Sequence, residues 1–190
     1  MKKLLLASFL VAFAFTTTNA QTAIQNFTLV NVADSKMVSL DSYPTCSGLV
    51  VLFTGNNCPY DAYYTARVKS LIAAYQGKIQ FMLINSYVEP EESIEKMKEK
   101  YNAWGLSVPY LADKDQLVME SLGAKKSPEA FLLKNTGGKY SLAYAGALDD
   151  NPQVEKDAKQ NYLKNAIDKL LAGQSPDVSV RAAGCTIRRK

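Results

Sequence analysis

The sequence contains no histidine. That excludes Ser-His-Asp and Cys-His catalysis, and it excludes histidine-ligated zinc or haem. Only three cysteines occur, Cys46, Cys58 and Cys185. Three thiolates cannot close a four-ligand zinc site by themselves, and they allow at most one intrachain bridge with one thiol left over. Strong charge imbalance is also missing: 22 Lys and Arg stand against 18 Asp and Glu, a formal +4. Such a balance points neither to nucleic acid nor to a membrane surface. The terminal Arg188-Arg189-Lys190 reads as a solvated basic end. No internal repeat or low-complexity segment interrupts the chain. The N-terminal apolar run, Leu4 to Phe15, is too short to span a bilayer, which takes about 20 residues.

That run has another meaning. Lys2 and Lys3 precede it, and small and polar residues lead from it to Thr18-Asn19-Ala20. A basic start, an apolar stretch and a small-residue cleavage point read as a secretory signal over residues 1–20. The protein is then expected to be exported, periplasmic or extracellular, with no stable membrane insertion. Cleavage before Gln21 leaves about 170 residues, enough for one domain with a real core. Export also implies an oxidising compartment in which disulfides persist.

The rest of the chain is organised around Gly48 to Tyr60, GLVVLFTGNNCPY. Leu49 to Phe53 is an apolar, β-branched run without alternation, as expected of a strand covered on both faces. A polar turn, Thr54 to Asn57, delivers Cys58 to the start of a helical pattern. Helix N-termini carry unpaired N–H groups and a partial positive charge, and both favour thiolate over thiol. Pro59 suits the first helical turn, where no N–H is needed.

Upstream, Phe27 to Val32 and Met37 to Leu40 read as a hairpin. Downstream, the pattern predicts a helix from Pro59 to about Tyr75, with Ala62, Ala66, Val68, Leu71, Ile72 and Tyr75 inward. A second buried strand follows over Lys78 to Asn85, giving a βαβ unit with parallel pairing. Pro90 opens a further helix with Ile94, Met97, Tyr101 and Trp104 on one face, and Glu89, Glu91, Glu92 and Glu95 as its solvated start. Val108 to Leu111 is a short extended piece. Asp113 caps a helix through Leu122. Ser127-Pro128 precedes a strand over Ala130 to Leu133, and Tyr140 to Ala147 returns in hairpin with it. Asn151-Pro152 starts a last helix to about Ala172 with Val154, Leu163, Ala166, Ile167 and Leu170 inward. The domain is expected to end near Gly173, and Gln174 to Lys190 is a tail without periodicity that carries Cys185. This order predicts a three-layer α/β domain with a mixed central sheet and helices on both faces.

FTGNNCPY, Ser127-Pro128 just before a strand, YAGALDDN (Tyr144 to Asn151) and Gly184-Cys185-Thr186-Ile187 occur here in one order and spacing. On these segments the chain resembles the thioredoxin-like superfamily, and within it the secreted redoxins of the alkyl hydroperoxide reductase/thiol-specific antioxidant type. The resemblance implies a thioredoxin-like fold with an N-terminal β-hairpin extension. It also implies a cis peptide bond at Ser127-Pro128 beside the active-site cysteine. The chain departs from the superfamily in four places. Asp61 stands where a CxxC pair has its second cysteine, and Gly55 stands where an upstream variant would have it. Leu52 replaces the buried acid of the strand that leads to a typical thioredoxin site, so that proton acceptor is expected to be missing. Gly55 and Val51 also replace the Thr/Ser and Pro of the peroxiredoxin P-x-x-x-T/S-x-x-C segment.

The resemblance implies thiol–disulfide exchange with Cys58 as nucleophile and Cys185 as the candidate resolving thiol. Pro59, Ser127 and Pro128 are the candidate substrate-binding residues. The substrate is a protein thiol or disulfide, or a peroxide, and a thiol protein supplies electrons. No metal or organic cofactor is implied. Other readings stay open here. Cys58 as a sulfenic-acid-forming thiol peroxidase is one, and a non-catalytic binding module with a structural disulfide is another. Cys46 is either the odd thiol or the partner of Cys185. Tyr60, Tyr63 and Tyr64 are candidates to frame the site, and Asp149-Asp150-Asn151 reads as a turn and helix cap.

Overall fold

A computed structural model describes residues 23–177 and 179–190. The expected secretory signal, 1–20, lies outside the described residues. The first hairpin forms as β1 (Thr28–Asn31) and β2 (Met37–Ser39). Strand β3 (Gly48–Phe53) is buried along its whole length. Helix α1 (Pro59–Ala74) leads to β4 (Ile79–Asn85), which pairs parallel with β3, Val51 opposite Met82. Helix α2 (Ile94–Trp104), β5 (Tyr110–Ala112) and α3 (Leu117–Leu122) follow. Then come the short β6 (Lys126–Ser127), the hairpin β7 (Glu129–Thr136) and β8 (Lys139–Gly146), and α4 (Tyr162–Leu171). A two-residue strand, β9 (Cys185–Thr186), closes the chain.

The main sheet has the order β2-β1-β5-β4-β3-β7-β8. It is mixed: β3, β4 and β5 are parallel, while β7, β8, β1 and β2 add antiparallel pairs. Both faces of β3 are covered, which explains why its sequence shows no alternation. Its pleat sends Val50 and Leu52 into one core with Tyr64, Met97 and Ile167 from α1, α2 and α4. Leu49, Val51 and Phe53 enter the other, with Val118 and Met119 of α3, Leu40 and Ile187. The second face is thus closed by one short helix, the turn after β2, and the C-terminal tail.

Several expected faces and ends differ from the sequence pattern. On α1, Ala62 and Ala66 are exposed, and the buried positions are Asp61, Tyr64, Arg67 and Val68. The alanines have little area to bury, whereas Tyr64 and Arg67 find a partner inside. Asp149 accepts from the Tyr64 hydroxyl at 2.7 Å and from Arg67 Nη1 at 2.5 Å. Asp149 is therefore an interior ion-pair partner. Asp150 and Asn151 hold turns, not a helix start. The Asp150 side chain accepts from the backbone of Lys159 and Gln160, and Asn151 from Gln153 and Val154. Such side chains compete with helical backbone bonds, so α4 begins only at Tyr162 and Val154 stays exposed. Pro90–Glu92 forms a single 3-10 turn, and α2 is capped by Ser93, with Ile94 on its exposed side. Asp113 reaches past one turn to accept from the backbone of Val118 and Met119.

Candidate active site

The site lies where β3 ends. Thr54 is tied to β4 by its backbone, and residues 55–57 cross to α1. Two buried carboxylates and a half-buried lysine fix this crossing. Glu92 accepts from Asn56 N at 2.6 Å, from Asn57 N at 2.9 Å and from Asn85 Nδ2 at 2.7 Å. Lys100 Nζ donates to the carbonyls of Gly55 and Asn56 at 2.5 and 2.8 Å. Asp61 accepts from Gly55 N at 2.8 Å. Every polar backbone group of a loop taken from water needs such a partner. Glu92 is only 4% exposed, so it is not part of a solvated helix start as its sequence neighbours suggested. Burial lowers the Lys100 pKa, an effect opposed by the charges of Asp61 and Glu92.

Cys58 takes the N-cap position of α1 in extended conformation, with Pro59 next and its own carbonyl accepting from Asp61 N at 3.1 Å. It is 6% exposed. Its sulfur is bonded to that of Cys185, with 6.0 Å between the Cα atoms. Cys46 is the free cysteine, half-buried against the Tyr43 carbonyl and the Tyr140 hydroxyl. It lies before β3 while Cys58 lies after it, and a strand of this length spans about 20 Å.

Two strands hold Cys185 in place. Antiparallel pairing sets Ser127 opposite Cys185 and Lys126 opposite Thr186. The Ser127-Pro128 peptide is cis, and the Ser127 carbonyl lies 3.2 Å from the Cys58 sulfur. Beyond β9, Ile187 N donates to Lys125 O at 3.0 Å and the Ile187 side chain is buried in the second core. Gln116 clamps the end, donating to Arg188 O at 2.7 Å and accepting from Lys190 N at 2.9 Å. Before β9, Val180 O accepts from Ala147 N at 2.8 Å. Within the tail that looked aperiodic, Cys185–Thr186 forms a strand of two residues, too short to leave a side-chain period to read.

The first turn of α1, after Cys58, carries a buried acid. Asp61 is 3% exposed and accepts from the Ser127 hydroxyl as well as from Gly55 N. Burial pushes its pKa up to about 6, against the lowering effect of the Ser127 and Gly55 hydrogen bonds and of Lys100. Leu52, at the strand position, carries no acid, as expected; the buried acid here comes instead from the first turn of α1. The sequence signal was an Asp three residues after a helix-initial cysteine. Tyr87 was missed as well. Its ring packs over Gly55, whose hypothetical Cβ would lie 2.7 Å from a ring carbon, and its hydroxyl donates to Cys185 O at 3.3 Å. Tyr60 and Tyr63 instead pair with each other on the outer side of α1, and Tyr64 faces inward.

The disulfide opens on one side into a cleft of about 320 Å³ lined by Asn57, Tyr87, Glu89, Glu91, Glu92 and Arg188. Pro59 is exposed at its edge of the helix, whereas Ser127 is fully buried. The arrangement brings Cys58, Cys185, Pro59, Ser127 and Pro128 into one neighbourhood.

A mixed sheet that feeds a helix-initial cysteine, with a cis-proline beside its sulfur, defines a thioredoxin-like protein. The chain belongs to the AhpC/TSA family, whose model matches residues 20–144, and that family acts on thiols or peroxides. The match ends before the segment that carries Cys185. Among solved structures, the chain is similar to an uncharacterized conserved protein from Geobacillus kaustophilus, 28% identical with a TM-score of 0.81, covering 90% of this chain and 92% of that one. A hypothetical protein from Sinorhizobium meliloti 1021 is also 28% identical, with a TM-score of 0.79 and coverage of 90% and 95%. A thiol-disulfide oxidoreductase from Bacteroides fragilis NCTC 9343 shares the fold at 17% identity, with a TM-score of 0.54 and coverage of 65% and 89%. Comparison with curated proteins gave no match. Among the described residues, no helix is long and apolar enough to cross a membrane.

Proposed function

We propose that this protein is an exported thiol–disulfide oxidoreductase in which Cys58 and Cys185 alternate between dithiol and disulfide. The observation that carries this reading is the Cys58–Cys185 bond at the N-cap of α1, open to solvent through a cleft. In the dithiol form, the Cys58 thiolate attacks a substrate disulfide RS–SR′. A Cys58–SR bond forms, and R′S⁻ leaves and takes a proton. Cys185 then gives up its proton and attacks the Cys58 sulfur, the Cys58–Cys185 bond forms, and RS⁻ leaves. The substrate gains two electrons, and a thiol donor returns them to the protein by the reverse exchange. The helix N-terminus stabilises the Cys58 thiolate both as attacking group and as leaving group. Pro59 keeps the first turn free of a competing N–H, and Ser127 and Pro128 border the reacting sulfurs. Residues 21–173 form the catalytic domain, and the 174–190 segment brings the second sulfur.

The test is catalysis of exchange between glutathione and hydroxyethyl disulfide. The full chain accelerates it, and Cys58→Ser abolishes the acceleration. Full activity in Cys58→Ser removes the reading. A reduction potential above about −300 mV is expected, since structural disulfides usually lie below that value.

A further inference from the structure

In this fold a strand edge next to the reacting sulfur is the natural landing place for an extended polypeptide, because main-chain hydrogen bonds supply affinity without sequence demands. Here that edge is already filled. Ser127 is paired with Cys185 and Lys126 with Thr186, so the chain's own tail lies where a peptide would pair. The fit is close: a side chain at Gly184 would collide with the Ser127 carbonyl. The Tyr87 hydroxyl adds a further hold at the sulfur-bearing residue, donating to the Cys185 carbonyl at 3.3 Å. The segment is pinned beyond the disulfide by buried Ile187 and by the Gln116 hydrogen bonds to Arg188 and Lys190, so it does not depend on the S–S bond alone for its place. What remains open is the cleft of about 320 Å³ between Tyr87, Glu89, Glu91 and Arg188.

We propose that the Cys58–Cys185 disulfide exchanges with small thiols that enter this cleft, and excludes extended polypeptide thiols because the tail occupies the Ser127 edge. This rests on the exchange reading given above. In the reaction, a thiolate RS⁻ attacks one sulfur of the Cys58–Cys185 bond and the other sulfur leaves as a thiolate. A second RS⁻ attacks the mixed disulfide, giving RSSR and the protein dithiol. Two thiols are oxidised and one protein disulfide is reduced.

The experiment follows the reduction of the oxidised full-length protein by alkylation and mass measurement. The two reductants are N-acetylcysteinamide and a blocked extended peptide with one central cysteine, chosen so that their thiol pKa values match and intrinsic nucleophilicity cancels. Dithionitrobenzoate serves as an unhindered reference disulfide on which both thiols react alike. On the protein, the small thiol is expected to react faster by about tenfold or more. Gln116→Ala and Ile187→Ala, which loosen the tail from outside the site, should each narrow that ratio. Equal rates for peptide and small thiol on the wild-type protein overturn the proposal while leaving the exchange reading intact. A small-thiol preference that persists unchanged in both variants overturns it too, because the tail is then not the cause. Reduction by neither thiol removes the exchange reading, and this inference falls with it.

Discussion

Asp61 and Ser127 are joined side chain to side chain, the carboxylate accepting from the hydroxyl, and the Ser127 carbonyl lies 3.2 Å from the Cys58 sulfur. The same carboxylate accepts from Gly55 N, so one buried acid ties α1 both to the crossing loop and to the residue that precedes Pro128. Burial makes its charged form unfavourable and raises its pKa from 3.8 to about 6.

Asp61→Asn tests what that burial does to stability. A folded-state pKa above the unfolded value means the native protein holds the proton more tightly. The stabilisation is fully present below pH 3.8 and is lost as pH rises through about 6. The gap corresponds to about 3 kcal/mol between acid and neutral conditions. Asparagine keeps an oxygen for Ser127 and Gly55 and removes the titration. Denaturant unfolding at pH 4.5 and 7.5 should show the variant gaining on the wild type as pH rises, by at most that amount. Other titrating groups are common to both proteins and cancel in the difference. Parallel pH curves would show that Asp61 is solvated or ionised without penalty.

The layered fold was legible in the sequence because it rests on long apolar runs. Leu49 to Phe53 and the segment ending at Asn85 announce buried strands, and Pro59 and Gly105 mark helix ends. The Cys58 position could be read for the same reason, since a strand, a polar turn and proline fix it locally. The polar interior could not be read so directly. Glu92 looks like any acid at a helix start until the chain folds back and gives it Asn56 and Asn57 to hold. Arg67 and Asp149 lie far apart in sequence and meet only in the folded domain. The place of the tail was hidden because a two-residue strand carries no periodicity, and only Ile187, which reaches the second core, reveals how it is anchored.

Gly55→Thr puts a side chain where peroxiredoxin-type segments have one. In this chain the place is taken: a Cβ at Gly55 would lie 2.7 and 2.9 Å from two Tyr87 ring carbons and 3.3 Å from Glu92 Oε1. Tyr87 cannot move freely, because its hydroxyl holds Cys185 O and its backbone oxygen accepts from Lys114 Nζ at 2.8 Å. The variant is expected to lose about 1–3 kcal/mol to overpacking. It should also speed hydrogen exchange at Cys185 and Thr186, because the Tyr87 contact is displaced. No gain in peroxide reactivity is expected, since the added hydroxyl meets the Tyr87 ring and not an open pocket. An unchanged unfolding midpoint with Tyr87 in place would contradict this account.

Cys185→Ala separates the thermodynamic role of the disulfide from its chemistry. The bond closes a loop with a sequence separation of 127. For a loop of that size, unfolded-chain entropy accounts for up to about 5 kcal/mol, and measured losses are commonly 2–4 kcal/mol. The folded state of the variant keeps the tail through Val180, Ile187 and Gln116, so most of the effect falls on the unfolded ensemble. Two consequences follow together. The variant and the reduced wild type should unfold at similar denaturant concentrations, both below the oxidised protein. The oxidised protein should also show the smaller denaturant slope, because a cross-linked unfolded chain exposes less surface. If Cys185→Ala instead frees the Ser127 amide to rapid exchange while the rest of the domain stays protected, the tail is held by sulfur alone. The hydrogen bonds of Ile187 and Gln116 would then contribute nothing measurable to its place.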